Sequence, residues 1–300
     1  MTSIKSELLI DGNVLRENIV SIKKRLPKDS KFLAVIKSDA YGHNLTNIVN
    51  DIDDLVDGFG VVRIEEALEI RKHSNKKILL MQGVYSKEDF TLSRKQQFDL
   101  VIHNLFQFNI VKNEESFERL WFKVNTGMNR LGFEIDDFLK IYDENLQDKK
   151  FILMSHLASS NEKNNSANKN QFKLFNDLSK NLHKDIKKSI ANTGCIYNYP
   201  EYSFDWVRCG IGIYGGYLKD KKLKTAMTLR SPIINLREIR KGEKVGYDGR
   251  ATAEKDMKIA SIYLGYADGL PVTIKDGTAV MVNDQIASVF GKVSMDLTTI

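Results

Sequence analysis

The chain has 300 residues, enough for one large domain or two ordinary ones, and its 42% hydrophobic and 28% charged content is that of a soluble globular protein. No run approaches the roughly 20 apolar residues of a membrane span, and the opening MTSIKSELLIDGN lacks the apolar core of a signal peptide. The net charge of +6 is spread along the chain, with no basic stripe interleaved with aromatics, which argues against nucleic acid as a partner. Two cysteines without a CxxC pair are too few for a disulfide scaffold or a zinc ribbon. The five histidines make neither an HxH nor an HxxxH pair, so no metal site is expected. A reduced, cytoplasmic protein is the expectation.

In chain order, SELLIDG (6–12) precedes a helical stretch at 14–26, VLRENIVSIKKRL. Eight short apolar runs follow, at 33–39, 58–62, 77–83, 98–104, 120–127, 151–157, 189–194 and 206–215. They are continuous rather than alternating, as parallel strands buried on both faces require. Between them, 45–55, 64–74, 87–97, 135–146 and 170–182 carry apolar residues at three- and four-residue steps, with acids near the start of 64–74, 87–97 and 135–146. Asn44 is the expected N-cap of the first. Eight strands with interleaved helices suggest a (β/α)8 barrel, although a doubly wound sheet has the same spacing.

After Gly216 the texture changes to alternating, glycine-punctuated segments with no helix period, which reads as a β-rich second domain. The expected division is a barrel over 10–220 and a β domain over 221–300, to which residues 1–9 add a strand.

Chemistry in a barrel gathers at the C-terminal ends of its strands. Polar residues fall there: Lys37, Lys123 with Asn125, His156, Asn192 with Thr193, and Arg208. Each alone fits a solvated rim; the set is harder to explain that way. An amine held among apolar walls gives up hydration and part of its charge, and a neutral amine forms imines with carbonyl compounds, pyridoxal phosphate among them. The loops after the last two runs, ANTG and RCGIG, offer small residues, backbone N–H groups and the Thr193 hydroxyl to a phosphate.

AVIKSDAYGH (34–43) resembles the cofactor-lysine motif of the alanine racemase family, whose members join a pyridoxal-phosphate barrel to a β domain. KVNTGMNRLGF, SHLASS, ANTG, VRCGIGIYG, VGYDG, GYADG and GKVSMD resemble that family's other motifs in the same order. The resemblance implies interconversion of L- and D-alanine, with pyridoxal 5'-phosphate held as an imine on Lys37 and a homodimer sharing its active sites. It makes Lys37 one base and Tyr247, from the partner subunit, the opposite base. Tyr41, Asn192, Thr193, Gly210 and Ile211 become cofactor-binding residues, most of them at the phosphate. His156 belongs near the pyridine face and Arg208 at the pyridine nitrogen. Arg130 and the partner-supplied Met295 N–H meet the substrate carboxylate. Lys123 matches a lysine often carbamylated in the family, a modification that removes a repulsion with Arg130 and anchors it. Tyr266, Lys292 and Asp296 fall at the substrate entrance.

The chain also departs from the family pattern. Cys209 stands where proline is usual, Asn125 and Asp248 replace Asp and Gly, and Val272 and Lys292 stand where arginine is frequent. These last two open a broader or serine specificity. The family usually continues for several strands beyond VSMDLTTI, so the β domain is expected to be incomplete. Two rivals share the barrel. Non-catalytic pyridoxal-phosphate homeostasis proteins lack the domain that carries Tyr247 and Met295. Amino-acid decarboxylases place an acid, not an arginine, at the pyridine nitrogen.

Overall fold

The computed structural model describes residues 5–300. The chain divides into two compact units, Asp11–Ala226 and residues 5–10 with Met227–Ile300. The division falls at 226/227 rather than 220/221 because the Tyr217–Ala226 segment is tied to the first helix. Asn18 Nδ2 donates to Lys224 O at 2.8 Å, and its Oδ1 accepts from Lys224 N–H at 3.0 Å.

In the sequence-leading order, β1 (Glu7–Ile10) is followed by α1 (Gly12–Lys23), whose N-cap Asp11 accepts from Asn13 and Val14 N–H. Then come β2 (Lys31–Val35), α2 (Lys37–Gly42), α3 (Leu45–Ile52), β3 (Gly58–Val61), α4 (Ile64–Arg71), β4 (Lys77–Leu80) and α5 (Lys87–Lys95). The alternation continues through β5 (Asp99–Ile102), α6 (Leu105–Val111), β6 (Leu120–Lys123), α7 (Ile135–Asn145), β7 (Ile152–Met154), α8 (Ser166–Lys180), β8 (Lys187–Ser189), α9 (Thr193–Asn198) and β9 (Trp206–Cys209).

The eight strands β2–β9 pair in parallel, in the order β8-β7-β6-β5-β4-β3-β2-β9. The seam between β8 and β9 is bridged by Arg208 N–H to Ala191 O at 2.9 Å and Ser189 Oγ to Trp206 O at 2.8 Å. This makes a near-closed (β/α)8 barrel. Its interior is filled by inward side chains of successive strands, Leu33, Leu79, Val101, Trp121, Ile152, Met154 and Trp206. The Trp121 and Trp206 rings lie 5.7 Å apart.

Asn44 caps α3 as expected, accepting from Asn47 N–H at 3.1 Å. Two local readings shift. The strand expected at 189–194 lies at Lys187–Ser189, and ANTG becomes a loop and the start of α9. The apolar run at 33–39 ends at Val35, where Lys37 opens a left-handed turn instead of prolonging the strand.

The second unit is strands and turns with two single-turn 3-10 helices, Tyr247–Gly249 and Tyr266–Asp268. β10 (Met227–Arg230) pairs antiparallel with β1, Glu7 facing Arg230, so SELLIDG does join the β domain. β11 (Ile233–Ile239) pairs with β14 (Met257–Ile262), and β14 with β17 (Thr298–Thr299). Two hairpins complete it, β12 (Lys244–Val245) with β13 (Ala251–Thr252) and β15 (Ala279–Val282) with β16 (Gln285–Ser288). The last turns on Asn283 and Asp284, at φ 46° and 63°, the geometry a two-residue hairpin demands. Ile239, Val245, Ala253 and Ile259 form its core with Met257 and Phe290. No described helix is long and apolar enough to cross a membrane.

Candidate active site

One cavity of about 560 Å³ opens at the C-terminal ends of the barrel strands. Its floor is the roof of the barrel core, where Met81 and Met154 serve both. Lys37, Tyr41, Lys123, Arg130, His156, Asn192, Thr193, Arg208, Gly210 and Ile211 line it; Asn125, the other strand-end polar residue, does not.

Lys37 stands two residues beyond β2, where the chain swings into left-handed backbone at Ser38, Asp39, Ala40 and Tyr41, φ 52–56°. Such a conformation costs roughly 1–2 kcal/mol per non-glycine residue, so it persists only where the surroundings over-determine it. His43 helps: its Nδ1 lies 3.1 Å from both the Ala40 and Tyr41 carbonyls, and its ring packs 4.4 Å from Tyr214.

Lys123 and Arg130 belong to the two ends of one loop. Beyond β6 the chain doubles back, with Phe133 N–H donating to Lys123 O at 2.9 Å and Asn125 N–H to Phe133 O at 2.8 Å. Gly132 makes the close approach possible: at φ 130°, a Cβ there would sit 2.6 Å from Asn125 N. Asn125 organises the loop. Its Oδ1 accepts from Gly127 and Asn129 N–H, and its Nδ2 donates to Asn129 Oδ1 and Glu134 Oε1 at 2.9 Å each. A carboxylate could not make those last two bonds.

Arg208, 2% exposed, is the best-held cation. Nη1 donates to Ser189 Oγ at 2.6 Å; Nη2 donates to Ser155 O at 2.6 Å and to His156 Nδ1 at 3.2 Å. Its Nε is buried without a partner. Burial pushes its pKa down to about 10, which leaves it a cation at neutral pH. Burial first, and then Arg208, hold His156 well below the ordinary histidine range. A neutral imidazole that accepts at Nδ1 carries its proton on Nε2.

The lining contains Lys37, Lys123, Arg130 and Arg208 and no carboxylate. The cavity is therefore built for anions. Lys123, 5% exposed, has its pKa pushed down to about 8, by burial and then by Arg208, Arg130 and Lys37.

The opposite corner is walled by backbone. A Cβ on Gly210 would lie 2.5 Å from the Tyr41 hydroxyl, and one on Gly194 would lie 2.7 Å from Ser160 Oγ. Asn192 is fixed by Ser160 Oγ at 2.6 Å and Cys195 N–H at 3.1 Å. Burial raises the Tyr41 pKa, which keeps the phenol protonated and a donor.

Sequence reasoning passed over Gln82, Ser160, Asn161 and Gly194, which also line the cavity. Their signal was positional: Gln82 ends the KILLMQ run, and Ser160 lies in the SHLASS motif from which only His156 was taken.

Tyr247, Tyr266, Lys292, Met295 and Asp296 belong to the β unit. There they gather along one stretch, residues 291–297. Gly246, beside Tyr247, faces Lys292 backbone, and Lys292 Nζ pairs with Asp248 at 2.8 Å. Tyr266 N–H donates to Ser294 O at 3.0 Å, and Ala267 N–H to Met295 O at 2.9 Å. Tyr247 is 66% and Met295 53% exposed, and Asp296 is exposed as well.

A lysine at the mouth of a (β/α)8 barrel, in an anion-seeking cavity and followed in the chain by a β unit, defines a class of protein. Residues 10–218 match the family described as alanine racemase, N-terminal domain, and residues 226–300 its C-terminal domain. The alanine racemase of Shewanella denitrificans is 35% identical over 97% of this chain and 84% of that protein. Among solved structures, the biosynthetic alanine racemase of Pseudomonas aeruginosa superimposes with a TM-score of 0.91 at 31% identity, covering 99% of this chain and 86% of that one. The alanine racemase of Bartonella henselae with covalently bound pyridoxal phosphate shares the fold, at a TM-score of 0.88 and 24% identity over 99% and 86% of the two chains. The chain belongs to the alanine racemase family.

Proposed function

We propose that the protein interconverts L- and D-alanine with pyridoxal 5'-phosphate as cofactor. The observation that carries the reading is the convergence in one cavity of an amine, an unpartnered buried guanidinium N–H and a glycine-walled corner. These fit the cofactor's three points of attachment. Lys37 would take the carbonyl carbon. Arg208 Nε–H would meet the ring nitrogen. Tyr41, Thr193 and the backbone at Gly210 and Ile211, with Asn192 bracing the loop, would hold the phosphate. The chemistry the cofactor supplies when bound is an electron sink for the pair left at the substrate Cα.

The chain's own residues do the rest. Arg130 draws the substrate carboxylate into a cavity already positive. Inversion needs a proton carrier on each face of Cα. Lys37 Nζ serves one face. The Tyr247 hydroxyl serves the other, supplied by the second subunit of a homodimer together with the Met295 N–H. Tyr266, Lys292 and Asp296 frame the substrate entrance. Arg208, as a cation, would disfavour a proton on a ring nitrogen held at its Nε, and so would temper the electron sink the cofactor supplies. His156, neutral and carrying its proton on Nε2, would lie near the cofactor ring. The neutral Lys123 amine adds CO2 and releases a proton to solvent, and the resulting carbamate supplies the carboxylate the cavity lacks and braces Arg130. The homodimer works in the cytoplasm, where its D-alanine is a peptidoglycan precursor.

The test combines two measurements on purified protein. Borohydride treatment of the cofactor-loaded protein should fix the cofactor on Lys37 alone, and L-alanine should be converted to D-alanine. Labelling of a different lysine, or cofactor binding without D-alanine formation, would overturn the reading.

A further inference from the structure

Lys37 enters the cavity through a turn whose leading N–H groups bond to one side chain outside the cavity. Ser38, Asp39, Ala40 and Tyr41 are all left-handed and none is glycine. The leading N–H groups of a helical turn find no partner inside it. Here those of Ser38 and Asp39 donate to Glu66 Oε1 at 2.6 and 3.4 Å. The other oxygen of the same carboxylate, Oε2, accepts from Val62 and Arg63 N–H at 3.2 and 3.1 Å. An acid in the first turn of α4 is ordinary capping chemistry, and that accounts for the Oε2 bonds alone. The Oε1 bonds reach across to the turn after a neighbouring strand. The turn's other clamps are local: Asp39 Oδ1 accepts from Leu45 N–H at 2.7 Å, and His43 spans the Ala40 and Tyr41 carbonyls.

Resting on the reading of Lys37 as cofactor anchor and proton carrier, we infer that Glu66 is its positioning residue. Its carboxylate holds the Ser38–Tyr41 turn left-handed and so fixes the direction in which Lys37 leaves β2. The requirement is for a carboxylate, because four N–H groups need two acceptor oxygens. A glutamine of the same shape has one, and must turn its NH2 toward a pair of donors. Glu66 does not line the cavity and acts only through the turn.

The test compares full-length wild type with Glu66→Gln, using Glu65→Gln, an exposed neighbour, as control. In cofactor-free Glu66→Gln, the Ser38 and Asp39 amides should exchange with solvent at least about tenfold faster than in wild type. With cofactor, kcat should fall about tenfold while KM for alanine stays within about twofold, since a misdirected reacting group costs rate more than binding. Borohydride should still label Lys37. Adding Ser38→Gly, at an exposed position, should recover most of the lost kcat, because glycine adopts a positive φ freely. If Glu66→Gln does not fold, the double variant should regain fold and Lys37 labelling. Unchanged exchange and kcat in folded Glu66→Gln, or a double variant no better than the single, would overturn the inference. Wild type labelled elsewhere would overturn the reading of Lys37, while exchange in the cofactor-free protein would still decide whether Glu66 holds the turn.

Discussion

Arg208 and Lys123 show how burial divides the labour among the cavity's cations. Arg208 spends its two Nη groups on Ser189, Ser155 and His156 and keeps Nε free. Replacing it by an acid should let the ring nitrogen proposed to sit at that Nε protonate. Arg208→Glu is expected to raise the transamination side reaction by at least about tenfold relative to racemisation, read as build-up of the aminated cofactor in spectra of protein that still retains it. Lys123 carries the opposite burden. Its pKa is lowered to about 8, so the fold is penalised while the amine is charged. The unfolded chain then binds more protons than the folded one between about 8 and the ordinary 10.5, and stability rises with pH across that window. In CO2-free buffer Lys123→Met should therefore melt a few degrees above wild type at pH 7, and the gap should close as pH approaches 10.5. Bicarbonate should stabilise wild type and not the variant, and a carbamate signal with labelled bicarbonate should be absent from the variant.

At the scale of elements, the barrel places its chemistry by how strands end, and holds its strands from the other side. Gly132 is the pivot of the loop that carries Arg130 back over Lys123. Gly132→Ala would drive a Cβ to 2.6 Å from Asn125 N and 2.7 Å from Val124 C, both backbone that cannot yield cheaply. It should cost about 2 kcal/mol of stability and raise KM for alanine, measured by denaturant melts and steady-state kinetics. At the N-terminal ends of the strands, Asp99 is fully buried on β5. It accepts from Lys77 Nζ at 2.9 Å, Arg119 Nη1 at 3.2 Å and Trp121 Nε1 at 3.0 Å. Asp99→Ala strands the Trp121 N–H beneath the core and frees two cations that are partly exposed, so about 2 kcal/mol of stability should be lost. Racemase kinetics of the folded fraction should be unchanged, since Asp99 is far along the strand from the cavity end.

The whole molecule consists of two units with unlike roles. The barrel holds one of the two proposed proton carriers, Lys37, and the β unit holds the other, Tyr247. If two chains exchange these groups, Lys37→Ala and Tyr247→Phe are each inactive alone, but a heterodimer of the two has one site with both groups intact. Random pairing under two-fold symmetry should then restore about one quarter of wild-type activity on co-expression. No recovery from verified heterodimers, or full activity in a monomer, would defeat the shared site.

The sequence by itself determined, through the order of its motifs, the class of fold, and it named most of the polar residues that line the barrel cavity. Parallel strands buried on both faces must be continuous apolar runs, and the residues that break those runs are the ones that reach the cavity: Lys37, Lys123, His156, Arg208. Motif order carried the family. The tertiary structure decided what depends on partners distant in the chain. Spacing alone did not separate a barrel from an open sheet, because closure rests on the β8–β9 seam, where Arg208 and Ser189 bridge strands otherwise unpaired. No local signal revealed the left-handed turn after Lys37, since nothing in KSDAY favours positive φ at four positions running; a carboxylate 28 residues further on, Glu66, supplies the bonds that make it possible. The free Nε of Arg208 and the lowered pKa of Lys123 likewise follow from burial and neighbours brought together by the fold, which no reading of single residues contains.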